Sequence, residues 1–263
     1  MKALDNFVIR GSSSGVFRNN EFISATDVAC PRKTILRHLK IEETVNPKTQ
    51  AIFKIGHYFE EYFKTLHPEL EAETLVTGDG WEGHADFTSS DHVWELKSVT
   101  SKNTYNQVFK KGLPKEQAVI QLASYMLQLE ISTGTLVFGS FCHIATYDKL
   151  MKMKLHEIAP LFENAVPEMK EFAVEINEDG GVLLDGVSFM GLHVSELMEF
   201  QAQLHELVKN DVLPPRVEAL KPDAWSDPCK FCKLAMLCDS SPVSLEDFAA
   251  DAADVFAGLA EEI

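Results

Sequence analysis

The alternation of hydrophobic and polar positions predicts helices and strands in turn along the middle of the chain. Over residues 49–66 apolar side chains recur at helical spacing, and a His-Pro pair then ends the segment. Residues 71–99 show period-two alternation interrupted by turn signals, which predicts three strands, the last two joined by a tight turn at 90–91. A helix over 114–129 and a strand over 134–144 follow. The pattern as a whole indicates an α/β domain.

The segments on either side of this region carry weaker patterns. A hydroxyl cap followed by an acid predicts a helix over 24–40. Residues 147–155 are expected to form a strand that pairs with the strand over 134–144. Helical spacing of apolar residues favours two further helices, over 159–176 and 194–209.

Composition places the chain among globular proteins. It has 263 residues, 45% hydrophobic and 24% charged, which is enough to bury a core without disulfide bonds. The five cysteines, an odd number, argue against a disulfide framework, and the sequence shows neither a membrane-spanning run nor a signal-peptide pattern. We therefore expect a cytoplasmic protein that binds no membrane, with one domain over 1–239 and a flexible acidic tail over 240–263.

Charge is distributed unevenly along the chain. The net charge of −16 argues against an extended nucleic-acid-binding surface, because phosphate contacts need Lys and Arg. Two segments are nevertheless basic: residues 1–40 carry seven Lys or Arg against three acids, and residues 95–115 carry five Lys against one acid. These basic islands are either solvated faces or sites of phosphate contact.

A pair of carboxylates in the predicted hairpin is the most informative feature. A tight turn at 90–91 places Asp86 directly across from Glu95, and Lys97 shares the face of Glu95 because side chains alternate along a strand. Two carboxylates at this separation repel unless a cation or a proton lies between them. They could hold Mg²⁺ or Mn²⁺, with Lys97 orienting a water or neutralising charge on a phosphate. The alternative interpretation is an ordinary exposed ladder of acids and bases.

Two helical patterns flank the hairpin. His57 and Glu60 are three residues apart on the helix before it, so both can face one site. Gln121 and Tyr125 are four residues apart on the helix after it and share a face. His84 would share the face of Asp86 and is interpreted as a supporting group rather than a metal ligand.

The cysteines form a second candidate centre. Cys229, Cys232 and Cys238 lie within ten residues, and Cys30 lies about 200 residues earlier. Four thiolates hold either Zn²⁺ or an iron–sulfur cluster. Cys142 lies in an apolar strand and is expected to be a buried small hydrophobe.

Together these patterns resemble the PD-(D/E)XK nucleases, specifically their RecB-like branch. That branch has a His on the helix before the hairpin and a Gln-x-x-x-Tyr motif on the helix after it. The resemblance implies a restriction-endonuclease-like core, in which a mixed central sheet is flanked by helices. It also implies metal ligands at His57, Asp86, Glu95 and the backbone carbonyl of Leu96, a catalytic Lys97, and contacts from Gln121 and Tyr125 to nucleic acid or to Lys97.

The cysteine spacing resembles the iron–sulfur staple of RecB-like nucleases such as AddB and those that accompany CRISPR adaptation. In these proteins one cysteine precedes the nuclease core and three follow it. The resemblance implies a [4Fe–4S] cluster that joins the N-terminal and C-terminal segments. Its ligands would be Cys30, Cys229, Cys232 and Cys238.

The activity implied by the resemblance is that of a DNA nuclease dependent on Mg²⁺ or Mn²⁺. We expect an exonuclease that acts on single-stranded ends. The phosphate-binding motif of a helicase is absent from the sequence, so a stand-alone enzyme is expected, in the host cytoplasm if it is phage-encoded. A recombination, CRISPR or phage protein would be its partner. The alternatives are a structure-specific endonuclease and a non-catalytic DNA-binding or adaptor protein stabilised by the cluster.

Overall fold

The computed structural model describes residues 34–36, 47–78, 80–162 and 164–214. Contacts between Cα atoms divide them into two compact units. The larger unit comprises 45–78 and 83–197, and the smaller includes 34–36, 80–82 and 198–214. Every residue of the candidate hairpin, from Asp86 to Lys97, belongs to the larger unit.

The helices and strands lie close to the positions predicted for the middle of the chain. None of the helices among the described residues has the length and apolar composition that a membrane crossing requires. In chain order the elements are α1 (Pro47–Leu66), β1 (Glu71–Gly78), β2 (Trp81–Thr88), β3 (Val93–Val99), α2 (Lys102–Tyr105), a π-helical turn (Asn106–Lys110), α3 (Glu116–Gln128), β4 (Thr133–Ser140), α4 (Tyr147–Lys152), α5 (Leu155–Ile158), a 3₁₀ turn (Ala159–Leu161), β5 (Glu168–Ile176), β6 (Gly181–Leu184), β7 (Val187–His193) and α6 (Val194–Lys209).

The described strands form one mixed sheet of seven strands, ordered β1 to β7 as in the chain. β3 and β4 are parallel, whereas β2–β3, β4–β5, β5–β6 and β6–β7 are antiparallel. Parallel neighbours need a long crossover connection, which α3 and the residues before it supply here. The prediction of a mixed sheet with helices is therefore confirmed.

Helices α1 and α3 cover opposite faces of β4. A Cβ atom at Gly139 would contact the ring of Phe59 on α1, whereas one at Gly134 would contact Leu122 and Met126 on α3. Because residues an odd number apart in a strand point to opposite sides, these two glycines mark the two faces of the sheet. We call these two sides of the sheet the α1 face and the α3 face.

The core of the larger unit lies on both faces. On the α1 face Ile55, Phe59 and Phe63 are buried at helical spacing and pack in one cluster with Phe87 and Leu96 of the hairpin. The rings of Phe63 and Phe87 lie 5.1 Å apart. Apolar packing against α1 thus stabilises the hairpin. On the α3 face the buried hydrophobic residues of α3 and β4 include Val119, Leu122, Met126, Leu136 and Phe138.

Two predicted elements have the wrong type. Residues 147–155 do not add a strand: Tyr147–Lys152 is a helix with Asp148 in its first turn and Lys149 and Lys152 in its last. Residues 159–176 do not form a helix, because Glu168–Ile176 pairs along its whole length with β4. The predicted helices over 49–66, 114–129 and 194–209 are confirmed. Of the predicted helix over 24–40, only 34–36 lies within the described residues, and it is helical.

The described part of the smaller unit has its own buried side chains. Ile35, Leu36 and Trp81 are at most 1% exposed. Gly80 lies so close to the imidazole of His205 that no side chain fits there, and its φ of +67° favours glycine. The predicted tail over 240–263 lies outside the described residues.

Glycine-to-alanine changes at two positions should affect stability in opposite directions. A Cβ at Gly139 would lie 2.5 Å from ring carbons of the buried Phe59, so Gly139→Ala should lower the free energy of unfolding by about 1–3 kcal/mol through overpacking. Gly56 lies within α1, where a Cβ would have its nearest neighbours at 3.8 and 3.9 Å. Gly56→Ala should therefore raise the free energy of unfolding by about 0.5–1 kcal/mol. Urea unfolding of both variants measures the two values. A gain in stability from Gly139→Ala would contradict the close contact of Gly139 with Phe59.

Candidate active site

The hairpin has the register that the sequence predicts. The backbone N–H of Ser89 donates to the carbonyl of His92 at 2.9 Å, which closes the turn. Phe87 pairs with Trp94 and Thr88 with Val93. The same register continued by one step places Asp86 opposite Glu95.

Strand β3 directs its residues alternately to the two faces. Glu95 and Lys97 are in register with Leu136 and Phe138 of β4 and therefore lie on the α3 face. Leu96 is in register with Val137 and lies on the α1 face, in the apolar cluster. The strand thus fixes the Glu95 carboxylate by burying the residue that follows it.

Asp86, Glu95 and Lys97 interact closely. Glu95 is 1% exposed, and its Oε1 accepts a short hydrogen bond from Lys97 Nζ. Its other oxygen, Oε2, is buried and has no hydrogen-bond partner among the described residues. Asp86 Oδ2 accepts a hydrogen bond of 2.6 Å from the backbone N–H of Leu96. A buried carboxylate oxygen without a donor carries a free-energy cost that a cation would offset.

The electrostatics of this group reflect its burial. Loss of hydration raises the pKa of Asp86 well above its usual range, and the negative charge of Glu95 raises it further. Burial also raises the pKa of Glu95, against the opposing effect of Lys97. For Lys97, whose side chain is 33% exposed, burial acts to lower the pKa, but the charges of Glu95 and Asp86 outweigh it and the pKa is raised. Lys97 therefore remains an ammonium ion at neutral pH.

The metal-free protein should become more stable at neutral pH when Asp86 is replaced by asparagine. The pKa of Asp86 is raised in the folded state, so its contribution to stability is full below the unfolded pKa, about 3.9, and is lost as the pH rises through the folded pKa. Asparagine keeps an acceptor for the Leu96 N–H without the charge. At pH 7 in EDTA, Asp86→Asn should raise the free energy of unfolding by about 1–2 kcal/mol, or the Tm by about 2–8 °C.

The gain from Asp86→Asn should shrink as the pH falls through about 4, because below the unfolded pKa the wild-type carboxyl is protonated in both states. Thermal unfolding across this pH range measures it. Asp148→Asn, at an exposed position in the first turn of α4, is the matched control and should give no gain. A lower Tm of Asp86→Asn at pH 7 would contradict the assignment of strain to this carboxylate.

Gln121 and Tyr125 lie together on α3, as the sequence predicts, but they are buried. They are 8% and 4% exposed, and Gln121 Nε2 donates to Tyr125 Oη at 3.3 Å. A Cβ at Gly83 on β2 would lie 2.8 Å from the Tyr125 ring, so glycine allows the tyrosine to approach this strand closely. The pair lies against the strand that carries Asp86, which fits a positioning role better than contact with a solvent-borne ligand.

The contacts described for His57 include neither Asp86 nor Glu95. Its side chain is 75% exposed, and its Nδ1 lies 3.0 Å from Glu60 Oε2. Glu60, 32% exposed, is the acid on α1 whose charge acts on Asp86, Glu95 and Lys97. No group of three or more His, Cys, Asp or Glu side chains within the described residues is arranged to hold a metal ion. His84 is exposed on β2.

Lys115, at the start of α3, adds a cation that the motifs did not single out. Its pKa is lowered, first by burial and second by the positive charge of Lys97, although the residue as a whole is exposed. The two positive charges, of Lys115 and Lys97, therefore act on one another. In the sequence, Lys115 was marked only by its position in the basic island over 95–115.

The predicted cluster ligands Cys30, Cys229, Cys232 and Cys238 lie outside the described residues. Cys142 is reduced and half-buried, and so less buried than predicted. It follows the end of β4, where its Sγ lies 3.7 Å from the carbonyl oxygen of Val99. Burial raises the pKa of its thiol, which keeps it protonated and unreactive.

The chain matches no protein-family model and no curated protein. Among solved structures it is similar to a protein designated SSO0001, at 16% identity and a TM-score of 0.46, over 88% of this chain and 91% of that one. It is similar to the alkaline exonuclease LHK-Exo of Laribacter hongkongensis, at 12% identity and 0.46, over 72% and 90%. A phage-related exonuclease of Haemophilus somnus matches at 13% and 0.40, over 70% and 79%. These similarities concern the course of the backbone, and the sequence identities are low. The function of this chain is therefore inferred below from its own side chains.

Proposed function

We propose that this chain is a metal-dependent deoxyribonuclease of the PD-(D/E)XK type that hydrolyses phosphodiester bonds from single-stranded ends. The observation that carries the proposal is the buried Glu95 carboxylate, which has one oxygen without a hydrogen-bond partner in the described part of the chain. Beside it lie a second carboxylate, Asp86, and an ammonium group, Lys97. Buried charges of this kind are typical of functional sites.

The residues present fit a hard divalent cation. Mg²⁺ is usually bound by one or two carboxylates together with waters and substrate oxygens, so a pair of acids is sufficient. Asp86 and Glu95 would hold it with the backbone carbonyl of Leu96, and His57 with Glu60 would support it from α1. When bound, Mg²⁺ or Mn²⁺ lowers the pKa of water and polarises the phosphate. The carboxylate pair also loses its mutual repulsion.

Each neighbouring side chain has a role that follows from its charge. Lys97 keeps its proton at neutral pH, so it neutralises charge that develops on the phosphate rather than accepting a proton. Lys115 adds positive charge that acts on Lys97. Gln121 and Tyr125 support the strand that carries Asp86, and so act as positioning residues.

The remaining features of the proposed enzyme follow from the sequence. A [4Fe–4S] cluster on Cys30, Cys229, Cys232 and Cys238 would join the ends of the nuclease domain and contribute folding energy. The segment over 95–115 supplies lysines for phosphates in a chain that is otherwise acidic. We propose DNA as its partner in the cytoplasm, in recombination or in a CRISPR or phage process.

A digestion assay tests the proposal. End-labelled single-stranded, duplex and circular single-stranded DNA are incubated with Mg²⁺ or Mn²⁺, and with EDTA as the control. Metal-dependent loss of the linear single strand, with the circle intact, is the expected result. Cleavage of the circle would identify an endonuclease instead. Binding without cleavage under any metal condition would favour the non-catalytic DNA-binding protein.

A further inference from the structure

The residues between β3 and α3 form an ordered excursion that starts and ends near the candidate site. It begins five residues after Lys97 at α2, which Ser101 caps by accepting from the backbone N–H of Thr104 at 3.4 Å. Its second half is closed by a hydrogen bond of 3.0 Å, which the backbone N–H of Leu113 donates to the carbonyl of Gln107. It ends at Lys115, the residue that precedes α3. The excursion therefore connects the strand that carries Glu95 and Lys97 to the helix that carries Gln121 and Tyr125.

A stacked aromatic pair lies on this excursion. The rings of Tyr105 and Phe109 have centroids 4.9 Å apart and planes 11° apart, and both residues are only partly buried. Other aromatic pairs in the described residues are tilted or perpendicular, such as Phe138 and Phe172 at 90°. Tyr105 Oη donates to Glu168 at 2.9 Å, which fixes the orientation of the ring. The pair is thus partly exposed and is not part of the core cluster.

Positive charge surrounds the aromatic pair. Lys110 Nζ lies 5.4 Å from the centroid of Tyr105, and Lys102 and Lys111 are exposed. Among the acids, Glu168 accepts the hydrogen bond of the tyrosine hydroxyl, and the exposed Glu116 lies in the first turn of α3. The π-helical turn that carries Phe109 and Lys110 is a rare conformation that occurs often at functional sites.

We infer that Tyr105 and Phe109 form a stacking platform for a base of single-stranded DNA, with Lys110 and Lys111 holding the adjacent phosphates. Proteins that bind single strands combine lysines along the backbone with aromatic rings on which bases stack. A duplex does not fit this surface, because the faces of its bases are already stacked on one another. The inference rests on the proposed function and assigns the binding of the substrate strand to the segment between β3 and α3.

A purely structural role for the stack is the competing explanation, since aromatic residues four apart stabilise helical turns. Binding experiments separate the two. Fluorescence anisotropy in EDTA measures the affinity of a Glu95→Gln background for a labelled single-stranded oligonucleotide. A second oligonucleotide of the same length, with abasic sites throughout, provides the phosphates without the bases.

Phe109→Leu keeps apolar volume but removes the ring, and it should weaken binding of the oligonucleotide with bases by about 5- to 150-fold. Binding of the abasic strand should be unchanged. Phe109→Tyr, which keeps a ring, should bind like the background protein. Lys111→Ala should weaken binding of both strands equally. Unchanged binding of the oligonucleotide with bases by folded Phe109→Leu would overturn the platform.

Photo-crosslinking gives a second measurement that needs no substitution in the platform. Single-stranded DNA containing iodouracil, irradiated with the Glu95→Gln protein, should attach to Tyr105 or Phe109 in the peptide map. Crosslinks only elsewhere would overturn the platform, while metal-dependent digestion by the unsubstituted chain would leave the proposed function standing. Absence of both DNA binding and digestion would refute the proposed function itself.

Discussion

Replacing Glu95 with glutamine should lower the rate of DNA cleavage by at least about 10³-fold while the protein remains folded. Glu95 is 1% exposed and supplies the unpaired oxygen that would meet the cation. Glutamine has nearly the same size, so it keeps the packing of β3 but removes the charge on which metal binding depends. Initial rates on linear single-stranded DNA with saturating Mn²⁺ measure the loss, and circular dichroism checks the fold.

Glu175→Gln is the matched control for this variant. Glu175 is exposed on β5 of the same sheet, so the change removes an equal charge away from the hairpin. It should leave the rate within about twofold, because single surface charges have small effects. Full activity of Glu95→Gln would refute the proposed nuclease site. Equal losses in both variants would show that the acidic background, rather than the carboxylate pair, controls the rate.

Cys229→Ser should remove iron from the purified protein together with its visible absorbance. The wild-type chain, prepared without oxygen, is expected to hold roughly four iron atoms and matching acid-labile sulfide. Because a cluster that joins distant segments contributes folding energy, its loss should lower the free energy of unfolding by several kcal/mol, up to about 10 kcal/mol. Metal analysis and thermal unfolding measure the two effects.

Cys142→Ser provides the comparison within the same chain. This thiol is reduced and lies beside the Val99 carbonyl, so its replacement should leave the iron content unchanged. Cys30→Ser should behave like Cys229→Ser, because Cys30 is the predicted fourth ligand. Zinc in place of iron in the wild-type protein would contradict the cluster assignment. Iron retained in Cys30→Ser would show that a different residue completes the site.

The hairpin and its flanking helices could be predicted because their signals are local. The turn at 90–91 fixes the register, and the register fixes which residue faces Asp86. The buried positions Ile55, Phe59 and Phe63 of α1 repeat at helical spacing, so its length is also readable from the chain. In these elements local pattern and tertiary packing agree.

The two misassigned segments show where local pattern is insufficient. In Glu168–Ile176 the buried Phe172 and Val174 alternate as in a strand, but acids around them resemble a helix surface, and pairing with β4 decides the outcome. Over 147–155 a signal was present: an acid in the first turn and lysines in the last favour a helix. With only Leu150 buried in α4, hydrophobic periodicity was too short to identify it.

The candidate site was predictable in part. Asp86, Glu95 and Lys97 lie together because two strands joined by a short turn must place them so. Gln121 and Tyr125 also meet, but their burial depends on the close approach of α3 to Gly83, which spacing alone does not reveal. The contributions of Glu60 and Lys115 come from helices distant in sequence, and only the packed structure brings their charges to the hairpin.

The position of β3 in the interior of the sheet ties the chemistry to the stability of the whole larger unit. Leu96 is packed on the α1 face and Glu95 is buried on the α3 face, with hydrogen-bonded strands on either side. Backbone amides in such a strand exchange with solvent only when the unit opens as a whole, whereas exposed excursions open alone. Loss of the carboxylate pair's geometry on heating should therefore follow global melting of the larger unit rather than precede it. Substitutions that adapt the carboxylate pair to another temperature would have to change the stability of the core, because the pair does not unfold separately from it.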